Sequence, residues 1–175
     1  HEMLMGISKG TKRLHEIVES MFDIAQIDAR TLHLHLTPVD TSLIIKDVAH
    51  RLEKTIKERQ QSLSLEIPTL PMVKADPNLL EKLFKHLLNN AIKFTPDNGK
   101  IKVTAKPVLS QNSELPNGGV EIIVSDTGVG VDPETRDIIF SKFYQPGDLS
   151  KHSTSKTRFK GSGAGLGLAL SKGIV

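Results

Sequence analysis

The sequence predicts an α+β fold in which helices cover one face of a mixed β-sheet, with one long helix in front. The first 30 residues contain no proline, and their apolar side chains recur every three, four or seven positions. Asp76-Pro77 and Asp132-Pro133 each combine a helix N-cap with a proline at the first helical position. Apolar and polar residues alternate in four short stretches, which predicts half-buried strands at residues 32–36, 63–67, 101–105 and 120–124.

The first helix carries a narrow apolar stripe that includes Leu14, Val18 and Met21, with charged residues between them. A single helix cannot bury such a stripe on itself. We therefore expect a partner for it, either a second helix or a second copy of the chain.

The remaining helices each have a recognisable start. They begin at Asp40 or Thr41, Pro77, Pro133 and about Ala164. The helix from Pro77 runs through Ile92, whereas the helix from Pro133 is short and extends through Phe143. Lysines and a threonine interleave the apolar residues of the strand at 101–105, so we expect one face of the sheet to be exposed to water.

The composition excludes several classes of protein. The 175 residues include no Cys, so the chain has no disulfide scaffold, no thiolate nucleophile and no cysteine-ligated metal. The net charge is only +3 with both signs mixed along the chain, which argues against a nucleic-acid partner. No apolar run approaches the roughly 18 residues of a membrane span, so we expect no membrane contact by these residues and a cytoplasmic location. Because the chain opens on His1, we expect a piece of a longer protein, whose other parts could include a membrane anchor.

Three segments carry side chains suited to chemistry. In the first, His86, Asn90 and Lys93 are four and three positions apart, so on a helix they share one stripe beside the apolar face. Such a stripe resembles the wall of a polar site. Taken alone, it fits an ordinary solvated helix face at least as well.

The second segment is Asp126-Thr127-Gly128-Val129-Gly130, directly after a strand. The strand fixes the carboxylate of Asp126 at the rim of the sheet, and the glycines let a flat ligand approach the backbone closely. Because a carboxylate only accepts hydrogen bonds, an exocyclic amine such as that of adenine is a suitable hydrogen-bond donor to it. A plain tight turn is the alternative.

The third segment runs from Gly161 to Leu168, with glycines at alternate positions before the last helix. Successive backbone N–H groups at a helix N-terminus form an anion cradle suited to phosphates. The segment is neither a Walker A loop nor a dinucleotide fingerprint. The loop before it carries more basic than acidic residues, namely Lys151, Lys156, Arg158 and Lys160 against Asp148. This pattern resembles a lid over a polyphosphate, and a disordered basic loop is the alternative.

Together, in this order and spacing, the segments resemble the ATP-binding domain of sensor histidine protein kinases, within the GHKL superfamily that includes gyrase-type ATPases. Residues 90–96 resemble the N box of that family, and residues 126–130, 140–143 and 161–168 resemble its G1, F and G2 boxes. Residues 1–31 are similar to the second helix of the dimerisation and histidine-phosphotransfer hairpin. The resemblance thus implies a boundary between residues 1–31 and an ATP-binding domain of Bergerat type at residues 32–175. Relatives continue with about two further strands, so we expect this domain to be incomplete at its C-terminus.

The resemblance also implies roles for single residues. Asp126 would accept a hydrogen bond from the adenine amine, and Asn90 would supply an amide oxygen to Mg²⁺. Lys93 would approach the phosphates. The other residues implied to contact ATP are Phe94, Gly128, Gly130, Arg158, Gly161, Gly163, Gly165, Leu166 and Gly167.

The implied reaction is ATP-dependent phosphorylation of a histidine, followed by transfer to an aspartate of a response regulator. The implied partners are therefore the response-regulator receiver domain and a second copy of the chain's own dimerisation and phosphotransfer domain.

Two departures from the family pattern matter. His86 occupies a position where the family usually has an asparagine; because imidazole is a poor partner for Mg²⁺, we expect His86 to support the site or act as a base. The family's phosphoacceptor motif is not present in the sequence. We therefore expect this chain to bind ATP and Mg²⁺ without phosphorylating itself.

Two other classes compete with the histidine kinase. A GHKL-type ATPase or a serine kinase of the anti-sigma class is disfavoured by the helix of residues 1–30, which those modules usually lack. A non-catalytic nucleotide-binding scaffold is disfavoured because Asn90, Lys93, Asp126 and the glycines are intact, although His86 keeps this alternative open.

Overall fold

A computed structural model describes residues 2–109, 118–144 and 164–175. The helices are α1 (Glu2–Asp28), α2 (Thr41–Glu58), α3 (Pro77–Phe94) and α4 (Gly167–Ile174). The strands are β1 (Thr37–Val39), β2 (Ser62–Glu66), β3 (Val73–Ala75), β4 (Lys100–Val108) and β5 (Gly119–Asp126). A single 3₁₀ turn, Pro133–Thr135, follows β5.

The main sheet has the strand order β2-β4-β5. Strands β2 and β4 run parallel, with Leu63 opposite Ile101, whereas β4 and β5 run antiparallel, with Val103 opposite Val124. Strands β1 and β3 form a separate antiparallel ribbon. The predicted mixed sheet is therefore confirmed.

Helices α2 and α3 pack on one face of this sheet and form the main core with it. The core combines Ile45 and Val48 of α2, Phe84, Leu88 and Ile92 of α3, and Ile101 and Val103 of β4. Lys100 and Lys102, which alternate with the buried residues of β4, are exposed. The alternation in the sequence thus sorts one sheet face to the core and the other to water, as predicted.

The predicted helix starts are confirmed for α2 and α3. The side chain of Asp40 accepts a hydrogen bond from the N–H of Ser42 at 2.9 Å, and Asp76 accepts from Asn78 at 2.9 Å and Leu79 at 3.3 Å. Pro77 occupies the first turn of α3, where a missing N–H costs nothing.

Helix α1 packs against α4 through a second, smaller apolar cluster. Its buried members are Ile24, Leu166 and Leu170, and Ile17 and Ile27 pack against them. Another set of large apolar side chains on α1 is exposed, namely Leu14, Val18, Met21 and Phe22. Helix α1 therefore has one apolar face covered by α4 and another exposed to solvent. No helix among the described residues combines the length and the apolar composition that a membrane crossing needs.

Two local predictions were wrong. Residues 32–36 do not form a strand; the strand is Thr37–Val39, and the N–H of His35 donates to the carboxylate of Asp76 at 3.0 Å. The helix expected through Phe143 is replaced by the 3₁₀ turn and further turns, and Phe143 itself has a positive φ of 63°, outside the right-handed helical region.

Candidate functional site

Helix α3 carries the first group of predicted site residues. His86, Asn90 and Lys93 are all half-buried, beside the fully buried Leu88 and Ile92 that anchor the helix to the sheet. The ammonium Nζ of Lys93 lies 4.5 Å from the centroid of the Phe94 ring, a distance at which the ring attracts the cation. Helix α3 is thus anchored through one face and presents a polar amide and a cation from another.

The turn after β5 is fastened to the C-terminal end of α3. The N–H of Gly128 donates to Oδ1 of Asp126 at 2.8 Å, and the N–H of Val129 donates to the carbonyl of Phe94 at 3.2 Å. A Cβ at Gly128 would lie 2.5 Å from the Phe94 carbonyl oxygen, so only glycine fits. The exposed carboxylate of Asp126 is therefore held next to the end of α3, where it can accept further hydrogen bonds.

The glycine segment before α4 is fastened to residues 140–143. The N–H of Phe143 donates to the carbonyl of Gly165 at 2.9 Å. Gly165 has a φ of +70°, and a Cβ there would lie 2.7 Å from both the carbonyl carbon of Phe143 and the carbonyl oxygen of Tyr144. The positive φ and the close backbone together require glycine at this position.

His86 lies against the first residue of α4. A Cβ built on Gly167 would be 3.1 Å from Nδ1 of His86 and 3.4 Å from its Cγ. Burial lowers the pKa of His86 from the ordinary 6.5 to about 4, and the cations of Lys85 and Lys82 add to this effect against the opposing charge of Asp23. The imidazole is therefore neutral at physiological pH, which suits its place beside the positive end of a helix.

The predicted site residues thus meet on one element. The segment of Asp126 packs at the C-terminal end of α3, and the start of α4 packs at His86, two turns earlier. Gly130 has a φ of +70° with open space around it, and Leu166 is buried beneath α4. Arg158, Gly161, Gly163 and the lysines of the predicted lid lie outside the described residues.

Two residues that the sequence did not single out support the site. Arg59 and Gln61, both buried, donate hydrogen bonds to the carbonyls of Ile92 and Thr95 at the end of α3; Nη2 of Arg59 and Nε2 of Gln61 reach Thr95 at 2.9 and 2.8 Å. They satisfy carbonyls that have no partner within the helix. No local pattern marks them, because their partners lie more than 30 positions away along the chain.

The donor set fits a nucleotide-bound magnesium ion better than a metal held by protein alone. Within residues 2–109, 118–144 and 164–175, no group of three or more His, Cys, Asp or Glu side chains is placed to hold a metal. Asn90 offers one amide oxygen. Such a site suits Mg²⁺, which takes few protein ligands and is otherwise coordinated by phosphates and water.

The chain belongs to the family described as histidine kinase-, DNA gyrase B- and HSP90-like ATPases, whose model matches residues 75–175. Within that family it is similar to sensor histidine kinases, as the following comparisons show. The family and the mixed sheet with its helices confirm the fold class and the resemblance predicted from the sequence.

Three relatives illustrate the similarity. Hybrid signal transduction histidine kinase D of Dictyostelium discoideum is 32% identical over 171 residues, which are 97% of this chain and 10% of that protein. Drug sensory protein A of Synechocystis sp. is 30% identical over 177 residues, which are 99% of this chain and 25% of that protein. The crystal structure of full-length ShkA in complex with AMPPNP superimposes with a TM-score of 0.76 at 25% identity, covering 99% of this chain and 33% of that one. The chain therefore spans a third or less of each of these proteins.

Proposed function

We propose that this chain is the ATP- and Mg²⁺-binding catalytic part of a sensor histidine kinase, residues 32–175, together with the second helix of a dimerisation and phosphotransfer hairpin, residues 1–31. One observation carries the proposal. The turn of Asp126, which is suited to adenine, and the start of α4, which is suited to phosphates, both pack on α3. They therefore lie next to the helix that bears Asn90 and Lys93. The similarity to a kinase solved with AMPPNP supports the same ligand class.

The proposed roles follow from the chemistry of each group. The carboxylate of Asp126 accepts from the adenine amine, and Gly128 and Gly130 let the base lie against the backbone. Lys93, with Phe94 beside it, neutralises phosphate charge. At the start of α4, N–H groups around Gly165, Leu166 and Gly167 face the phosphates. Arg158, Gly161 and Gly163 belong to the same proposed site.

Catalysis by such a site consists of positioning and charge neutralisation. The bond from the γ-phosphorus to its bridging oxygen breaks, a bond to an imidazole nitrogen of the acceptor histidine forms, and ADP leaves. Asn90 would hold a magnesium ion together with the nucleotide, and the bound ion would neutralise charge on the phosphate oxygens. The phosphoryl group then passes from the imidazole to an aspartate of a response regulator.

The presence of α1 favours this proposal over an ATPase or an anti-sigma-type serine kinase. Helix α1 leads into β1 and exposes an apolar face, with Leu14 and Phe22 both 63% exposed. Such a face suits the pairing of two copies in a helical bundle. We accordingly propose a homodimer as the functional state.

Asp126→Asn tests the nucleotide site. An asparagine keeps the size of the side chain but turns an NH₂ group toward the adenine amine, so we expect adenine-nucleotide affinity to fall at least ~10-fold. The measurement is calorimetric titration of the chain with AMPPNP in Mg²⁺. Asp132→Asn is the matched control, because Asp132 is exposed and caps its own turn in the same way, with Oδ1 accepting from Glu134 at 3.0 Å. Equal affinities for Asp126→Asn and the unsubstituted chain would contradict the proposal, as would no binding at all.

The phosphotransfer reaction is tested on the longer protein of which this chain is proposed to be the catalytic part. Incubation with γ-labelled ATP should give acid-labile, base-stable phosphate, which is characteristic of phosphohistidine. The 175-residue chain alone should acquire no label. Stable label on serine, or ATP hydrolysis without a labelled protein, would instead support the competing classes.

A further inference from the structure

His86 of α3 lies against Gly167, the first residue of α4, and so forms part of the contact between the two helices. The three atoms nearest to a Cβ built on Gly167 all belong to His86: Nδ1 at 3.1 Å, Cγ at 3.4 Å and Cβ at 3.6 Å. The contact at 3.1 Å is tighter than side chains normally tolerate, whereas the contact at 3.6 Å is ordinary. The imidazole ring therefore fills the gap that a glycine leaves.

Helix α4 is held on its other side by α1. Leu166 and Leu170 are almost fully buried with Ile24 in the second apolar cluster. Because α1 packs on α4 through this cluster, α4 cannot move away from α3 without pressing into the apolar side chains of α1. The imidazole of His86 thus acts as a spacer of fixed size between two packed helices.

We propose that His86 is a positioning residue that sets the distance between α3 and the N-terminal turn of α4 through its contact with Gly167, and thereby sets the affinity for the phosphate part of the nucleotide. This inference rests on the proposed function. It assigns to His86 a role that needs neither metal ligation nor proton transfer.

The structure favours this role over that of a base. The ring lies against a glycine Cα, and the burial that lowers its pKa to about 4 leaves it weakly basic. A proton acceptor for chemistry near pH 7 needs a pKa close to that value. The role of a spacer, by contrast, depends only on the size and shape of the side chain, which the neutral imidazole provides.

A cycle of size changes tests the inference. The backbone of Gly167 is helical, so alanine is conformationally acceptable there, and the obstacle it meets is the imidazole. We expect Gly167→Ala to weaken ATP binding ~10-fold, because the added methyl group displaces the first turn of α4. His86→Ala should also weaken it, because the turn loses its support. The double variant should bind ATP more tightly than either single variant.

Two readouts separate positioning from general damage. Affinity for adenosine, which has no phosphates, should remain within about twofold in the His86 and Gly167 variants, whereas a merely structural defect would lower both affinities. Gly128→Ala is the matched control, since its Cβ would meet the backbone of Phe94 at 2.5 Å, which no side-chain truncation removes. His86→Ala should therefore fail to rescue Gly128→Ala.

The outcomes are distinct. The inference would be overturned if the double variant did not bind ATP more tightly than each single variant. It would also be overturned if Gly167→Ala bound ATP with unchanged affinity. Should Gly167→Ala fail to fold, the comparison of His86→Ala with the double variant decides, because the inference requires tighter binding by the double. Absence of ATP binding by the unsubstituted chain would overturn the proposed function, and the inference with it.

Discussion

Arg59 links the end of α2 to the end of α3, beneath the turn of Asp126. Its guanidinium donates to the carbonyls of Ile92 and Thr95 and to the carboxylate of Asp97, the last at 2.8 Å. The side chain is 9% exposed, and its carbonyl partners are buried. The arginine thus fixes the end of α3, whose last residue, Phe94, receives the Val129 N–H.

Arg59→Ala is expected to destabilise the chain by about 2–3 kcal/mol, because buried carbonyls lose charged donors and Gln61 can replace them only in part. Urea denaturation measures the free energy of unfolding. The control is Arg51→Ala, whose half-exposed pairs with Asp47 and Glu81 are screened by solvent and should contribute far less to stability. Equal losses for the two variants would contradict this account.

His86 makes stability depend on pH. Its pKa of about 4 in the folded chain lies below the ordinary 6.5, so the unfolded chain binds the proton more readily. The stability associated with the neutral ring is therefore complete above pH 6.5 and is lost as the pH falls toward 4. Lys82, Lys85 and Asp23 are the charged groups that act on it.

We expect the free energy of unfolding of the unsubstituted chain, minus that of His86→Gln, to fall by about 2 kcal/mol between pH 7 and pH 4.5. Taking this difference cancels the carboxylates that also titrate in this range. A constant difference for His86→Gln would show that the pKa of His86 is the same in the folded and the unfolded chain, which would contradict this account.

At this scale, the sequence predicts residues whose signal is local. Asp40 and Asp76 cap helices through partners within three positions, and Pro77 fits the first turn that Asp76 caps. Gly128 and Gly165 stand where a side chain cannot fit. Arg59 and Gln61 could not be predicted, since their partners are set by how α2 docks on α3. The contact of His86 with Gly167 likewise appears only when α3 and α4 are in place.

Helix α1 differs from the other helices because it has two apolar faces. Ile17, Ile24 and Ile27 pack toward α4, whereas Val18 and Phe22 point to solvent at 56% and 63% exposure. The periodicity predicted the need for a partner. It could not show that one face is covered within the chain, because the covering residues, Leu166 and Leu170, are at least 139 positions away.

Val18→Glu tests whether the second face pairs with another copy. The residue is exposed in the monomer, so folding should persist, while a buried charge would weaken self-association at least ~10-fold. Sedimentation equilibrium measures the dissociation constant. Leu43→Glu adds the same charge at an exposed leucine of α2 and should have no effect. Unchanged association of Val18→Glu would show that this face does not pair.

The elements that were predicted wrongly share a cause. Alternation at residues 32–36 predicts a strand, but Leu34 and Leu36 stay exposed, and Asp76 takes the N–H of His35 that a strand would need. Residues 138–143 are apolar enough for a helix, yet they form turns, and the N–H of Phe143 donates to the carbonyl of Gly165 instead of to a carbonyl four positions earlier. In both places a tertiary hydrogen bond overrides the local pattern.

At the scale of the whole molecule, the described residues are organised around two apolar clusters of unequal size. The main core joins α2, α3 and the sheet, whereas the smaller one joins α1 to α4. Among the described side chains, three ion pairs also connect α1 to other elements: Asp23 with Lys82, Glu16 with Lys85, and Asp28 with Lys142. These pairs are partly exposed and contribute little, so the apolar cluster dominates the attachment of α1.

Leu170→Ala should therefore destabilise α1 and α4 more than the helices and strands of the main core. Leu170 is 1% exposed, and its truncation should cost about 3 kcal/mol. Because α1 and α4 share the smaller cluster, hydrogen exchange should show lost protection in both, while β4 and β5 stay protected. Leu88→Ala, in the main core, should instead lower protection throughout, since Leu88 is packed among α2, α3 and β4. If Leu170→Ala lowered protection equally in β4, the two clusters would have to unfold as one unit, and the start of α4 could not be adjusted independently of the sheet that carries Asp126.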